Sequence, residues 1–138
     1  MIKLIAGLKG SGKTKTLIQM TNEAGASSKG AVVCIEKGDK LIHEIKYTVR
    51  LIDVERFDIT SAQSLYGFIA GICASNHDIS DIFIDSALKI CNNDIEMFEK
   101  FMDALRDYIK GADHPINVVI TASVDKTSLT PGLIKYLI

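Results

Sequence analysis

Eight residues near the start of the chain combine glycines, a lysine and a hydroxyl in a fixed pattern. The stretch Gly7–Thr14 reads GLKGSGKT and fits G-x-x-x-x-G-K-[ST] at every fixed position. Glycines allow backbone angles and close approach that a Cβ would block, so successive N–H groups can turn inward and form a nest for an anion. A lysine there reaches phosphate oxygens, and a threonine hydroxyl can ligate Mg²⁺. The pattern predicts a loop that binds the polyphosphate of a nucleoside triphosphate.

The surrounding sequence decides how far this match can be trusted, because glycine-rich octamers also occur by chance. Here the octamer follows the apolar run Ile2–Ala6, a predicted strand, and opens Thr14–Glu23, a predicted helix. The helix would add the positive end of its dipole to the anion site. The predicted phosphate-binding residues are Gly7, Lys9, Gly10, Ser11, Gly12, Lys13, Thr14 and Lys15. For Lys9 and Lys15, a solvated loop lysine remains an alternative.

A single acid ends a second apolar run. Asp81–Asp85 predicts a buried strand that delivers Asp85 to the carboxyl edge of a sheet, where ligands of parallel α/β folds bind. Asp85 would hold Mg²⁺ through a water ligand, at the same ion as Thr14, or alternatively would cap the following turn. Asp81 begins the same strand at the opposite edge, where a structural role is expected.

Hydrolysis would require a group that orients or deprotonates water near the γ-phosphate. Ser86, directly after Asp85, cannot act as that base. Glu36 ends the apolar run Ala31–Glu36 and Asp39 follows closely, and the alternative for Glu36 is an exposed loop acid. Ser123 ends a later strand and could hydrogen-bond phosphate or water, whereas Asp125 just beyond it is a weaker candidate.

Charge neutralisation and base recognition are poorly specified by the sequence. The only arginines are Arg50, Arg56 and Arg106, and none is an obvious arginine finger, so fast turnover would need a protein partner or a second subunit of a homo-oligomer. The three histidines are scattered and are interpreted as surface or turn residues. No N-K-x-D-like guanine reader occurs, which favours ATP over GTP.

Length and composition limit the classes of protein that need consideration. The sequence has 138 residues, 47% of them hydrophobic, which fits one domain over residues 1–138. The net charge of −1 gives no sign of a broad nucleic-acid-binding face. No apolar run reaches the roughly 18 residues of a membrane span. The three cysteines form no C-x-x-C pair, so we expect reduced thiols and a cytoplasmic location.

Strand and helix patterns alternate along the chain. Five apolar runs predict strands: Ile2–Ala6, Ala31–Glu36, Val49–Val54, Asp81–Asp85 and Ile116–Ser123. Such near-continuous apolar strands between amphipathic helices predict a parallel sheet covered on both faces, a three-layer α/β/α sandwich.

The helices are predicted from their ends and apolar faces. Thr60 with Gln63 resembles a capping box that opens a helix. Asn93 and Glu96 mark another start, and Gly111 and Pro115 mark its end, while Thr130-Pro131 opens a short last helix. The stretch Lys37–Lys46 is left open as a loop or a short helix.

With these motifs, the chain resembles the P-loop NTPase superfamily, and Gly7–Thr14 and Ile82–Asp85 resemble its Walker A and Walker B elements. Two strands separate the predicted loop helix from the Walker B strand, as in the RecA-like, additional-strand division. That resemblance implies the sheet order 3-2-4-5-1, with Ile116–Ser123 between the first and fourth strands. It also implies ATP and Mg²⁺ as ligands, Lys13, Glu36 and Asp85 as catalytic candidates, and Thr14 and Asp85 as metal ligands.

Two narrower resemblances are visible. The core is similar to that of type II thymidine kinases, which place Glu where this chain has Ser86 and carry a zinc-bearing segment for which no cysteine pairs exist here. The whole chain looks like short P-loop ATP-binding proteins of clostridial-type bacteria. Three functions therefore stay open: a slow ATPase, a non-catalytic nucleotide-binding switch or partner module, and a small-molecule kinase of nucleoside type.

Overall fold

The computed structural model describes all 138 residues and contains five strands and five α-helices. The strands are β1 Ile2–Gly7, β2 Ala31–Glu36, β3 Arg50–Asp53, β4 Ile79–Ile84 and β5 Asn117–Ser123. The helices are α1 Lys13–Ser27, α2 Ala62–Ser75, α3 Ala87–Ile90, α4 Ile95–Lys110 and α5 Pro131–Ile134. Two 3₁₀ turns, Val54–Phe57 and Lys126–Ser128, follow β3 and β5.

All five strands run parallel in one sheet with the order β1-β5-β4-β2-β3. Counted from the opposite edge, these neighbours give 3-2-4-5-1, the order that the resemblance implied. Strand β5 lies between β1 and β4, with Val118 opposite both Ile2 and Ile82. The carboxyl ends of all strands therefore meet at one edge of the sheet.

Alternate residues of the strands build a core on each face of the sheet. On β2, Val33 and Ile35 pack into the larger core with α2 and α4, whereas Val32 and Cys34 pack on the opposite face with Leu17 of α1. Burial of both faces explains why the strands read as continuous apolar runs instead of alternating ones. The structure is thus the predicted α/β/α arrangement of three layers.

The start of α2 differs from the sequence prediction by one residue. The N-cap is Ser61, not Thr60, and Ser64 completes the capping box in place of Gln63. The Ser61 hydroxyl accepts the amide of Ser64 at 3.1 Å, and the Ser64 hydroxyl accepts the amide of Ser61 at 3.0 Å. The Ser/Thr-x-x-Glu/Gln pattern favoured the wrong pair because a serine at N3 can close the same box.

Ser61→Ala is expected to lower the free energy of unfolding by about 1 kcal/mol, because it leaves amides in the first turn of α2 without a side-chain acceptor. Thr60→Ala serves as the matched control and should change stability by less than about 0.5 kcal/mol. Urea denaturation followed by circular dichroism measures both. A larger loss for Thr60→Ala would show that the cap lies one residue earlier.

Several boundaries also differ from the predictions. Strand β4 begins at Ile79 and ends at Ile84, so Asp81 lies inside it and Asp85 directly follows it. Helix α3 was not predicted, because its four residues are too few to show a helical period. Lys37–Lys46 forms turns and bends with no helix, although Ile45 donates an i to i+4 bond to Leu41 at 3.0 Å.

The two edge strands of the sheet, β1 and β3, differ in whether another segment pairs with their outer side. The C-terminal residues pair with β1: the Leu4 amide donates to the Tyr136 carbonyl at 2.7 Å and the Ile138 amide donates to the Leu4 carbonyl at 3.0 Å. Strand β3 pairs only with β2 and leaves its other side open. None of the helices combines the length and the hydropathy that crossing a bilayer requires.

Candidate functional site

The glycine-rich loop, residues Gly7–Thr14, has a backbone that only glycine adopts easily at two positions. Gly10 and Gly12 have φ of 86° and 87°, in the left-handed region. Gly7 differs from these two, since a Cβ there would meet the Ser11 hydroxyl, and the Ser11 side chain would have to move to accommodate it. The loop also closes on itself through a 3.1 Å bond from the Ser11 amide to the Leu8 carbonyl. The loop is therefore a tight turn whose shape depends on its glycines.

The loop leads directly into the amino end of α1. Gly12 is the N-cap, and no side chain caps this 15-residue helix. The first backbone bond of the helix runs from the Thr16 amide to the Gly12 carbonyl at 3.1 Å. The amides of the first turn before Thr16 have no intrahelical carbonyl to reach. They add a positive partial charge to the loop, which suits an anion.

Lys13 lies across the loop and not out in solvent. Its residue is 8% exposed, and its Nζ donates to the Leu8 carbonyl at 3.3 Å. The turn that follows is anchored in the core by fully buried Leu17. A single long bond to a carbonyl does not neutralise the ammonium, so Lys13 keeps its charge available for a ligand at this loop.

Asp85 is the carboxylate brought against the loop. It is 9% exposed, and its Oδ1 accepts the Thr14 hydroxyl at 3.1 Å and the Thr121 hydroxyl at 2.8 Å. Its Oδ2 accepts the Ser86 hydroxyl at 3.2 Å. The expectation that Thr14 and Asp85 lie together therefore agrees with the geometry, and Thr121 is an additional partner that fixes the carboxylate from β5.

Thr121 was not identified from the sequence, although a signal existed. It is fully buried in the middle of a strand that is otherwise apolar at its buried positions. Its hydroxyl also accepts the Ser86 amide at 2.8 Å, so one side chain joins β5 to the end of β4. A buried hydroxyl in a core strand requires hydrogen-bond partners, and here the partners are the candidate metal ligand and its neighbour.

Ser86 turns the chain sharply after Asp85. Its φ of 57° and ψ of 44° lie in the left-handed region, which is unusual for a residue that is not glycine. This turn starts α3 immediately and places Lys89 at the same edge of the sheet as the loop. Backbone strain of this kind is concentrated at functional sites, where neighbouring contacts hold it in place.

A cleft of about 370 Å³ opens between the loop, the end of β4 and the segment after β2. Its lining residues are Lys9, Gly10, Lys13, Thr14, Lys40, Leu41, Asp85, Ser86, Leu88, Lys89, Asn93 and Ser123. Four of them are lysines, and only one is an acid. Four lysines against one acid give the lining a net positive charge, so the cleft favours a polyanion. Lys40 and Lys89 were not predicted, because only the tertiary fold brings them here.

Glu36 has a different environment from the one the sequence suggested. It is not an exposed loop acid: it is 3% exposed, and both carboxylate oxygens lie 3.3 Å from the Leu41 amide that donates to them. Burial raises its pKa, with smaller contributions from the charges of Asp53 and Asp85, while the Leu41 amide opposes the shift. Glu36 lies behind the cleft wall formed by Leu41 and does not line the cleft.

The remaining predicted residues divide into two groups. Ser123 is exposed, lies opposite Gly7 in the β1–β5 register and lines the cleft. Asp125 caps the 3₁₀ turn after β5 by accepting the Thr127 amide at 3.0 Å. Lys15 is exposed on α1 and lies outside the cleft, and Asp39 lines a different cavity.

The residues present fit a magnesium ion. The Thr14 hydroxyl oxygen and the Asp85 carboxylate oxygen lie 3.1 Å apart, close enough to face one ion. Mg²⁺ is a small cation that prefers oxygen ligands of this kind. No group of three or more His, Cys, Asp or Glu side chains is placed to hold a metal. Two protein oxygens suffice for Mg²⁺, because it usually keeps waters and takes substrate phosphates as its other ligands.

Comparison with known proteins gives no relative from which a function could be transferred: no family model matches the chain, and no curated protein matches it. Function is therefore inferred from the loop, the cleft and the buried carboxylate themselves.

Proposed function

We propose that this protein binds a nucleoside triphosphate, ATP, together with Mg²⁺ in the cleft at the glycine-rich loop, and that it belongs to the P-loop NTPases of the RecA-like division. The observation that carries the proposal is the 3.1 Å contact between the Thr14 hydroxyl and the Asp85 carboxylate beneath a cleft lined by four lysines. A hydroxyl next to a fixed carboxylate suits the metal, and the lysines suit the polyphosphate.

The loop residues would bind the phosphates in a defined way. The amides of the loop and of the first turn of α1 would donate to phosphate oxygens, as backbone nests at helix starts do. Lys13 would exchange its 3.3 Å bond to the Leu8 carbonyl for a phosphate oxygen, which is a stronger acceptor because it is charged. Lys9, Lys40 and Lys89 add positive charge around the same cleft.

Asp85 and Thr14 would hold the magnesium ion, which supplies charge neutralisation of the phosphates when bound. Thr121 orients the carboxylate through its 2.8 Å bond and thereby acts as a positioning residue. Ser86 contributes a second bond to the same carboxylate at 3.2 Å. The absence of a guanine-reading motif supports ATP as the nucleotide.

Slow hydrolysis is the proposed activity, with Glu36 as the candidate base. Glu36 would need the Leu41 segment to move before it could contact water at the cleft, because Leu41 now separates them. None of the three arginines lines the cleft, so its four lysines are the cations that could stabilise the transition state from within the chain. Faster turnover in the cytoplasm would then depend on a partner protein or a second subunit.

A non-catalytic nucleotide switch is the second candidate function. It is favoured by the position of Glu36, whose carboxylate is held by the Leu41 amide and does not reach the cleft surface. Asp85 is the only acid that lines the cleft, and three hydroxyl groups already bond to it. On this alternative, bound nucleotide would change the position of the Leu41 segment and no chemistry would follow.

Calorimetric titration with ATP and GTP, each with and without Mg²⁺, tests the binding proposal. We expect ATP to bind, Mg²⁺ to strengthen binding, and GTP to bind more weakly. A phosphate-release assay on the wild type and on Glu36→Gln then separates the two candidate functions. Release that falls in Glu36→Gln supports hydrolysis, and negligible release with retained binding supports the switch. No binding of either nucleotide would refute the proposal as a whole.

A further inference from the structure

A second cavity of about 380 Å³ lies along the edge strand β3, all four residues of which line it, and it reaches the end of β2 and the 3₁₀ turn Val54–Phe57. It does not share a lining residue with the cleft at the glycine-rich loop. Its volume falls within the range of roughly 300 to 1,000 Å³ that is usual for small-molecule sites. The lining residues are Glu36, Gly38, Asp39, Ile42, Arg50, Leu51, Ile52, Asp53, Arg56 and Phe57.

Two of the three arginines in the chain line this one cavity, and neither forms an ion pair. Arg50 and Arg56 have no carboxylate within 4.0 Å, whereas Arg106 on α4 pairs with Asp103 and Asp107. A guanidinium presents a planar fork of donors that matches carboxylate and phosphate groups. Two guanidinium groups that lack a carboxylate partner and line one cavity can both donate hydrogen bonds to an anion.

Two of the three acids that line the cavity accept hydrogen bonds from backbone amides. One oxygen of Asp53, Oδ1, accepts the Gly38 amide at 2.8 Å and the Glu55 amide at 2.9 Å. Both oxygens of Glu36 accept the Leu41 amide. Asp39 is exposed and makes no hydrogen bond or ion pair through its side chain. The backbone amides orient the carboxylates of Glu36 and Asp53 but do not remove their charge. An anionic ligand would therefore depend on direct bonds to the two guanidinium groups and not on the net charge of the lining.

The rest of the lining is apolar. Four of the ten residues are hydrophobic, and two of these, Ile42 and Phe57, are 59% and 54% exposed. The Phe57 ring, which lines the cavity, packs against Phe68 of α2 at 5.5 Å between centroids. Large exposed apolar side chains beside unpaired arginines indicate a ligand with an apolar body and an anionic group.

We propose that this cavity binds a small amphipathic anion, a carboxylate or phosphate group on an apolar or aromatic body, through Arg50 and Arg56. The cavity also shares a wall with the cleft at the glycine-rich loop. Glu36, Gly38 and Asp39 face the cavity, whereas the next residues, Lys40 and Leu41, face the cleft. Resting on the proposed function, the ligand would be a second substrate or effector of the nucleotide site.

The test is a titration of ¹⁵N-labelled full-length protein followed by two-dimensional NMR. The probes are phenyl phosphate, benzoate and inorganic phosphate, which separate the two anionic groups and the contribution of the ring. We expect phenyl phosphate or benzoate to shift the amides of Gly38, Leu51, Ile52 and Phe57. Shifts at Gly10–Thr14 belong to the other cleft and are read separately, so a failed nucleotide site does not affect this result.

Variants decide whether the arginines carry the binding. Arg50→Gln combined with Arg56→Gln should weaken the better probe at least about tenfold, because each lost guanidinium removes charge-assisted hydrogen bonds. Arg106→Gln is the matched control and should stay within about twofold, whereas Asp39→Asn should bind more tightly. The dispersion of the NMR spectrum checks that each variant folds. No shift at the four cavity amides, or equal affinity in the double variant and the wild type, would overturn the proposal.

Discussion

Lys13→Ala is expected to weaken ATP binding by about 10- to 100-fold, which corresponds to the loss of one strong charge-assisted interaction. Lys13 is the lysine best placed to bind phosphate, because its Nζ already lies over the loop and bonds only to the Leu8 carbonyl. Its removal takes away an ammonium but no buried acid partner. The fold should therefore survive the change.

Calorimetric titration of ATP with Mg²⁺ measures this effect, and thermal unfolding monitors stability. Lys15→Ala is the matched control: it removes the same charge two residues later from an exposed position on α1 outside the cleft. It should change the affinity by less than about threefold. If both variants bind ATP as tightly as the wild type, the loop is not the phosphate site. An equal loss in both would show only a general effect of charge.

The elements that the sequence predicted well are those whose residues bury both faces. β2 was predicted with its observed limits, Ala31–Glu36, because five consecutive apolar residues that end at an acid are typical of a central strand between two helical layers. Strand β3 was predicted one residue too long at each end, since Val49 and Val54 are buried and apolar but lie outside the ladder. The apolar pattern of the sequence reflects burial, and burial continues beyond the last residue that pairs in the sheet.

Helix starts depended on hydrogen bonds that the sequence leaves ambiguous. At α4 the cap is Asp94, which accepts the Met97 amide at 3.1 Å, while Asn93 beside it takes a φ of 57°. Both residues are suitable caps by type, so composition could not choose between them. The same ambiguity led to Thr60 in place of Ser61 at α2. Side-chain geometry, which follows from packing of the helix, makes the choice.

The candidate site was predictable where a local pattern defines it and unpredictable where distant segments meet. The glycine-rich loop is contiguous, so its spacing alone indicates its conformation. Thr121 lies 36 residues from Asp85, and their 2.8 Å bond depends on β4 and β5 being neighbours. Lys40 and Lys89 likewise reach the cleft only because the turns after β2 and β4 end at one edge of the sheet.

Glu36 shows how a correct position can carry an incorrect environment. The sequence places it at the end of β2, on the carboxyl edge of the sheet, and the structure agrees. The sequence does not predict that the segment after β2 folds back, so that the Leu41 amide donates to the Glu36 carboxylate. Through that hydrogen bond the candidate base Glu36, which lines the second cavity, holds Leu41, which lines the cleft. The two residues thus form part of the wall between the cleft and the cavity. Movement of this wall would serve either candidate function.

Asp85→Asn is expected to abolish most of the strengthening of ATP binding by Mg²⁺, a change of about tenfold or more in the affinity measured with the metal. Asparagine has nearly the same shape, and its carbonyl oxygen can still accept the Thr14 and Thr121 hydroxyls. The negative charge that attracts the cation is lost. Without Mg²⁺ the variant should bind ATP at least as tightly as the wild type, because a carboxylate near the phosphates repels them.

Titrations of both proteins with ATP, with and without Mg²⁺, give the ratio of the two affinities, which measures how much the metal strengthens binding. Asp81→Asn is the matched control, since it makes the same change in charge on the same strand, four residues before Asp85 and away from the cleft. It should leave the ratio unchanged. If Asp85→Asn keeps the full strengthening by Mg²⁺ while Lys13→Ala loses ATP, the loop binds phosphate but the metal is held elsewhere. Because Asp85 is buried and joined to β5 through Thr121, its charge has a fixed position, and a ratio that collapses only in Asp85→Asn would locate the cation beside Thr14.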